Sequence, residues 1–297
     1  MTEEDLHVAI FRTKQYHEPL VQVWLQRDGR LYYYGPGDLP PSHRGPINPE
    51  ETLPHAIERL KDVIGWSLDE VASMAVAPGT YHPRIYRPYI SRPDLPNEAR
   101  DQPIMPMDEL MIQAQQVSTL ALRLTDICRT VHPAGTNLQS FGQEIRSLII
   151  LCATEVEAMW KGVLRSNGVE KERTTTNDYV KLKTAMRLDE YAVRFLHYPW
   201  LPPFSPFNGW SSVPSPTDSL PWYADYHAIK HDREAEFHRA TLQRAFECVA
   251  ACATMLAAQG DHELLEAGLA VSRPMWPVAE KYVWLRDRPF KAANFPF

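Results

Sequence analysis

The chain predicts a mainly α-helical protein, a helical bundle with a small N-terminal α+β module, and three observations carry that expectation. The segment ahead of Gly35 is rich in β-branched and aromatic residues, with an Asp28-Gly29 pair between apolar runs. Residues 78–106 are crowded with proline. Beyond them, long proline-free stretches repeat apolar residues at helical spacing. With 297 residues, 44% hydrophobic and 23% charged, the chain can bury a sizeable core in one large or two unequal domains.

Residues 1–77 make the expected α+β module. His7–Thr13 and Leu20–Gln26 read as strands, and Asp28-Gly29 turns the second into Arg30–Tyr34, an antiparallel hairpin. Tyr32, Tyr33 and Tyr34 fit either half-buried packing or stacking on a ligand. After a loop from Gly35 to Pro46, Asn48 is a plausible N-cap, with Pro49 at the first helical position and Leu53, Ile57, Leu60 and Ile64 at helical spacing up to Gly65. Ser67-x-x-Glu70 then has the form of a capping box for a short helix ending near Met74.

Residues 78–106 form the expected connector and domain boundary, since proline at this density forbids a regular helix. Its Arg84, Arg87 and Arg92 interleave with Tyr81, Tyr86 and Tyr89, which suits an extended packed linker or a clasp for a polyanion or a partner's edge.

Residues 107–297 are expected to be the bundle. Helices are predicted over Met107–Val131, Asn137–Asn167, Asp178–Phe195 and Glu234–Gln259, the last with an alanine-rich run that permits close helix approach. The stretch Tyr198–Pro221 interrupts them with seven prolines and five aromatics, a density that points to a lid or wall beside the following segment or to a wrap packed on itself.

Charge narrows the function. A formal net charge of -6 argues against a protein that coats nucleic acid electrostatically, while leaving room for a local basic site. Cys128, Cys152, Cys248 and Cys252 lie in apolar helical runs without any CxxC pair, so they read as small buried hydrophobes rather than disulfides or metal ligands. The N-terminus opens on acids where a secretory signal needs a basic flank, and the apolar windows are too short for a membrane span; the expectation is a cytoplasmic protein without membrane partners.

The segment Trp222–Arg239 carries the chemistry. On one helix turning about 100° per residue, His227, His231, Glu234 and His238 would share a stripe. His227 and His231, four apart, could ligate a metal with Glu234 as third ligand. However, Ala228 stands where an HExxH motif has its glutamate, and Lys230 opposes a cation, so the expectation is no metal and no cofactor. Phosphodiester cleavage without metal needs a base, an acid and a cation for the phosphorane charge, which histidine and arginine supply. Arg233 and His238 have that chemistry, with His231 a competing imidazole. Five steps on a straight helix separate the two by roughly 140°, so convergence requires a restart at Asp232, a bend, or a second subunit. Lys230 and Arg239 add cations for a phosphate, and Trp222 and Tyr226 add aromatic surface for a substrate.

Arg233-Glu-Ala-Glu-Phe-His238 resembles the R-x4-6-H signature of HEPN-like helical domains. The stretch WYADYHAIKHDR is similar to a W-x3-Y-N-x2-K-H-x-R pattern of uncharacterised bacterial proteins of that helical type, with His227 in place of the Asn. The helix LIILCATEVEAMWKGVLRSNG, with Glu155 and Glu157, and the C-terminal NFPF also look like that group; the likeness covers residues 107–297. Glu234 departs from the Asn, Asp or His that usually follows the signature arginine. The resemblance implies a metal-independent endoribonuclease of a toxin–antitoxin or anti-phage defence system, giving 2′,3′-cyclic phosphate ends. Arg233 would stabilise the phosphate, His238 or His231 would act as base, and the site would form across a homodimer, with RNA and a cognate antitoxin or defence protein as partners. The same residues also fit a non-catalytic binding or scaffold module, in which Glu155 or Glu157 pairs with Lys230, His231 or Arg233 as a structural ion network.

Overall fold

A computed structural model describes residues 4–15, 20–34, 42–61, 63–77, 79–89, 104–260, 268–283 and 291–297. The fold is mainly α-helical with a smaller β-containing region. Two compact units divide the chain: Met1–Tyr81, Arg87–Gln102 and Met275–Ala292 form one, and His82–Tyr86, Pro103–Pro274 and Ala293–Phe297 the other.

In the first unit, strands β1 (Glu4–Arg12), β2 (Leu20–Arg27), β3 (Arg30–Tyr34) and β4 (Ser42–Pro46) are followed by helix α1 (Leu53–Leu60) and strand β5 (Ser67–Ser73). The sheet runs β4-β3-β2-β1-β5, and every neighbouring pair is antiparallel. Period-two alternation gives it two apolar faces. Ala9, Phe11, Trp24 and Leu31 pack against Ala56 and Ile57 of α1, while Val8, Val23, Leu25 and Tyr34 pack with Val283. Tyr33 lies against Trp24 at 5.5 Å and Tyr34 is buried, so these tyrosines are packing residues. Strand β6 (Thr80–Tyr81) pairs in parallel with β9 (Lys291–Ala292).

Two local expectations fail in this unit. Helix α1 starts at Leu53, not Asn48, because Pro54 lacks an amide hydrogen and is tolerated only in a helix's first turn; Ile64, expected on its apolar stripe, is 99% exposed. The Ser67–Glu70 segment is strand β5 rather than a capped helix. The open edge of β1 offers a ladder, with Val71 opposite Ala9, that local capping does not outweigh.

In the second unit, α2 (Met107–Thr130) is followed by α3 (Gln143–Ser166), α4 (Thr176–Tyr179), α5 (Lys181–Met186), β7 (Ala192–Phe195), α6 (Pro221–His231), α7 (Arg233–Glu236), α8 (Leu242–Gln259) and β8 (Leu269–Ser272). Helices α2, α3 and α8 share one core. The small residues of α8, from Val249 to Ala258, are almost wholly buried, and the Cys252 thiol reaches the Cys152 carbonyl at 3.4 Å. All four cysteines are free and buried. No helix among the described residues is long and apolar enough to cross a membrane.

Three helix expectations are corrected here. Helix α3 begins after Gly142, and Gly135–Gln139 form a separate 3-10 turn; Phe141 bridges to Thr241, and Leu242 N–H donates to the Ser140 carbonyl at 2.8 Å, which draws residues 140–141 out of helical geometry. The stretch Asp178–Phe195 is broken. Arg187 adopts a left-handed φ of 53° at the end of α5, and Val193 and Phe195, alternating with exposed Arg194, enter β7 against β8. The third, a helix expected over Glu234–Gln259, is α8 only from Leu242; residues 233–239 form a separate short helix and 3-10 turn after a break at His231 that bears on the site.

The proline-rich stretch is a wrap packed by its own rings. Phe207 and Trp210 are buried against Trp160 of α3, and the Trp210 and Trp222 indoles donate to the carbonyls of Pro216 (3.1 Å) and Pro206 (2.8 Å). The arginines of the proline-dense connector are structural where described. Arg84 donates from Nε to Gln259 Oε1 at 2.8 Å and lies over Gly162, where a Cβ would meet its guanidinium at 2.4 Å; Arg87 donates to the Glu280 carbonyl at 3.1 Å. Arg92 lies outside the described residues.

Candidate functional site

Helix α6 starts on Pro221, whose fixed φ suits a first turn, and buries Trp222, Tyr223, Asp225, Tyr226 and Ile229. It stops at Asp232. The Asp232 carboxylate accepts the Ala235 N–H at 3.0 Å and caps α7, a one-turn helix that passes into the 3-10 turn Phe237–Arg239. Thr241 then caps α8 by accepting the Arg244 N–H at 3.3 Å. The single stripe expected for His227, His231, Glu234 and His238 is therefore interrupted between His231 and Glu234, because a local carboxylate cap competes with helix continuation.

Of the cations in this segment, Arg239 is consumed by Asp225, which is 8% exposed and also binds Arg244 beyond it. Arg239 Nε donates to its Oδ1 at 2.6 Å and Arg244 Nε donates to its Oδ2, while Glu236 and Glu247 take further guanidinium hydrogens at 3.1 and 2.7 Å. Arg239 thus serves the fold. Asp225 was not among the expected site residues, since its partner Arg244 lies nineteen residues on and nothing in the local pattern marks the pair.

Glu157 accepts the Tyr223 hydroxyl hydrogen at 2.7 Å, and burial together with that carboxylate pushes the Tyr223 hydroxyl far up. Burial also raises Glu155 above the usual carboxylate range. Among the described residues neither glutamate makes a direct ion pair with Lys230, His231 or Arg233, although, behind the Tyr226 hydroxyl bond, the Glu157 charge helps to hold Lys230 protonated. Lys230 instead donates to the Tyr226 hydroxyl at 2.8 Å and sits 5.0 Å from that ring's centre. Trp222 and Tyr226, each 1% exposed, belong to the core rather than to an open surface.

His227 packs edge-on against Tyr223 at 4.7 Å and stacks on His231 at 5.8 Å, with its Nε2 buried and unpartnered. Burial lowers its pKa from 6.5, with Glu157 opposing and Lys230 and His231 adding to the fall. An unfolded chain therefore takes up this proton before the folded one does. The stability contributed by neutral His227 is present above pH 6.5 and is lost as pH falls below that value towards the folded pKa. Urea unfolding at about pH 7 and about pH 5 should show a smaller acid loss for His227→Gln than for the unsubstituted protein. Equal losses would mean that this imidazole ionises alike in both states.

His231, Arg233 and His238 remain exposed, and Arg233 makes no ion pair or hydrogen bond among the described residues. His231, Asp232, Arg233, Glu234 and Phe237 line an open hollow of about 550 Å³. The structure thus brings His231 and Arg233 together. His238 stands outside that lining, its Nδ1 3.2 Å from the Ala235 carbonyl; an Nδ1–H donated there leaves Nε2 as the acceptor. No group of three or more His, Cys, Asp or Glu able to hold a metal occurs among the described residues. Chemically, the hollow offers a guanidinium and an imidazole to an anion, with Asp232 and Glu234 beside them as counter-charges. Comparison of the chain with protein-family models, with curated proteins and with solved structures gives no match.

Proposed function

We propose that the second unit, built largely from residues 107–274, is a HEPN-like ribonuclease unit in which the hollow beside His231 and Arg233 receives an RNA phosphate. The observation that carries this reading is the division of the arginines. Arg239 and Arg244 are neutralised by Asp225, Glu236 and Glu247, whereas Arg233 is exposed and, among the described residues, ion-paired to no carboxylate, next to the exposed His231 imidazole. An imidazole, His238 or His231, takes the proton of the 2′-hydroxyl. The 2′ oxygen bonds to phosphorus while the bond to the 5′ oxygen breaks, and the other imidazole returns a proton to that leaving oxygen. Arg233 stabilises the negative charge that develops between these events. The products are a 2′,3′-cyclic phosphate and a 5′-hydroxyl. Because His238 stands outside the hollow, a two-fold pair of chains is the arrangement that would bring a second imidazole to the phosphate. A defence or toxin-type role, with a protein that restrains the enzyme, follows from the same reading.

Total RNA incubated with the purified protein should be cleaved, and Arg233→Ala or His238→Ala should each slow cleavage by about 100-fold or more. Lys230, held on Tyr226, should matter less. A second reading, a binding or scaffold module without catalysis, draws support from Glu234, whose carboxylate lines the same hollow and competes with phosphate for Arg233. RNA left intact by the unsubstituted protein would favour that module.

A further inference from the structure

A second cavity of about 550 Å³ lies where the end of α2 meets the start of α3. Ile127, Val131 and Leu148 supply apolar walls, Arg123, Asp126 and Gln143 supply polar groups, and Phe141, 52% exposed, stands at its edge. Phe141 packs edge-to-face on Phe237 at 5.6 Å, and Phe237 lines the hollow that holds Arg233 and His231. The two recesses therefore meet at one aromatic pair.

We propose that this cavity seats a base of single-stranded RNA whose phosphate lies on Arg233, an inference that rests on the ribonuclease reading. The lining suits a flat heterocycle with a polar rim. A ring can stack on Phe141 while its exocyclic groups meet Gln143, Arg123 or Asp126, the last of which also pairs with Arg129 at 3.2 Å. The first-turn amides of α3 have no side-chain cap, since Gly142 stands at the N-cap, and they add donors at the same rim. Gly142 has an extended φ of -178°, and a Cβ built there meets nothing within 4 Å, so the space beside it is open and can be filled without straining the chain.

The test compares a short RNA with a strand of equal length that keeps its phosphates but lacks bases, both binding in EDTA to the full chain carrying His238→Ala to prevent turnover. Fluorescence anisotropy should show the RNA binding about tenfold more tightly than the abasic strand. Phe141→Ala, which removes the stacking ring, and Gly142→Leu, which fills the recess, should each erase that difference. RNA that binds with equal affinity to all three proteins, or no more tightly than the abasic strand, would overturn the base site while leaving the phosphate reading in place. Absence of binding by either strand would overturn both.

Discussion

Replacing Trp160 by alanine is expected to lower the stability of the second unit by about 3–5 kcal/mol, the range for deleting a fully buried large aromatic. Trp160 is 0% exposed and is the ring on which the proline-rich wrap closes, stacked on Trp210 at 5.0 Å and close to Tyr179 at 5.1 Å and Tyr223 at 5.3 Å. Truncation would leave a void that rigid neighbours cannot fill, and prolines on either side of Trp210 limit how far the wrap can collapse. Its Nε1 is buried without an acceptor, so Trp160→Phe removes an unsatisfied donor together with some contact area and should cost much less. Urea unfolding of the two variants checks this. Similar losses for Ala and Phe would mean that ring stacking is not what holds the wrap.

Asp225→Ala is the second large effect, about 3 kcal/mol. Removing one partner from a buried ion pair costs roughly 3–5 kcal/mol, and the figure is taken at the low end because the Arg239 and Arg244 side chains keep 36% and 25% of their exposure. The consequence reaches the site. Arg239 follows His238 directly in the 3-10 turn, so its bond to Asp225 holds that turn against α6. RNA cleavage by Asp225→Ala, measured below its unfolding temperature, should fall although Asp225 touches no substrate. Retained activity with lowered stability would separate the ion network from the placement of His238.

The parts of the fold legible in the sequence were those whose signals are local. The Asp28-Gly29 hairpin, the apolar stripes of α2 and α3 and the alanine-rich α8 each carry their own period. What escaped was decided by distant residues: β5 by the open edge of β1, β7 by Leu269–Ser272, and the late start of α3 by Thr241 and Leu242. The site divides along the same line. The restart at Asp232 was readable from its capping chemistry, and the charged segment marked the region. The withdrawal of Arg239 into the Asp225 network, and the meeting of Phe141 with Phe237 across nearly a hundred positions, depended on contacts that no local pattern records.

The most direct test of the central claim, that Arg233 and the neighbouring imidazoles act on an RNA phosphodiester without metal, is the chemistry of the ends produced in excess EDTA. A defined single-stranded RNA incubated with the unsubstituted protein should yield fragments ending in 2′,3′-cyclic phosphate and beginning with 5′-hydroxyl, formed about 100-fold or more slowly by Arg233→Ala. Fragments carrying 5′-phosphate, or equal cleavage by the Arg233 variant, would contradict it.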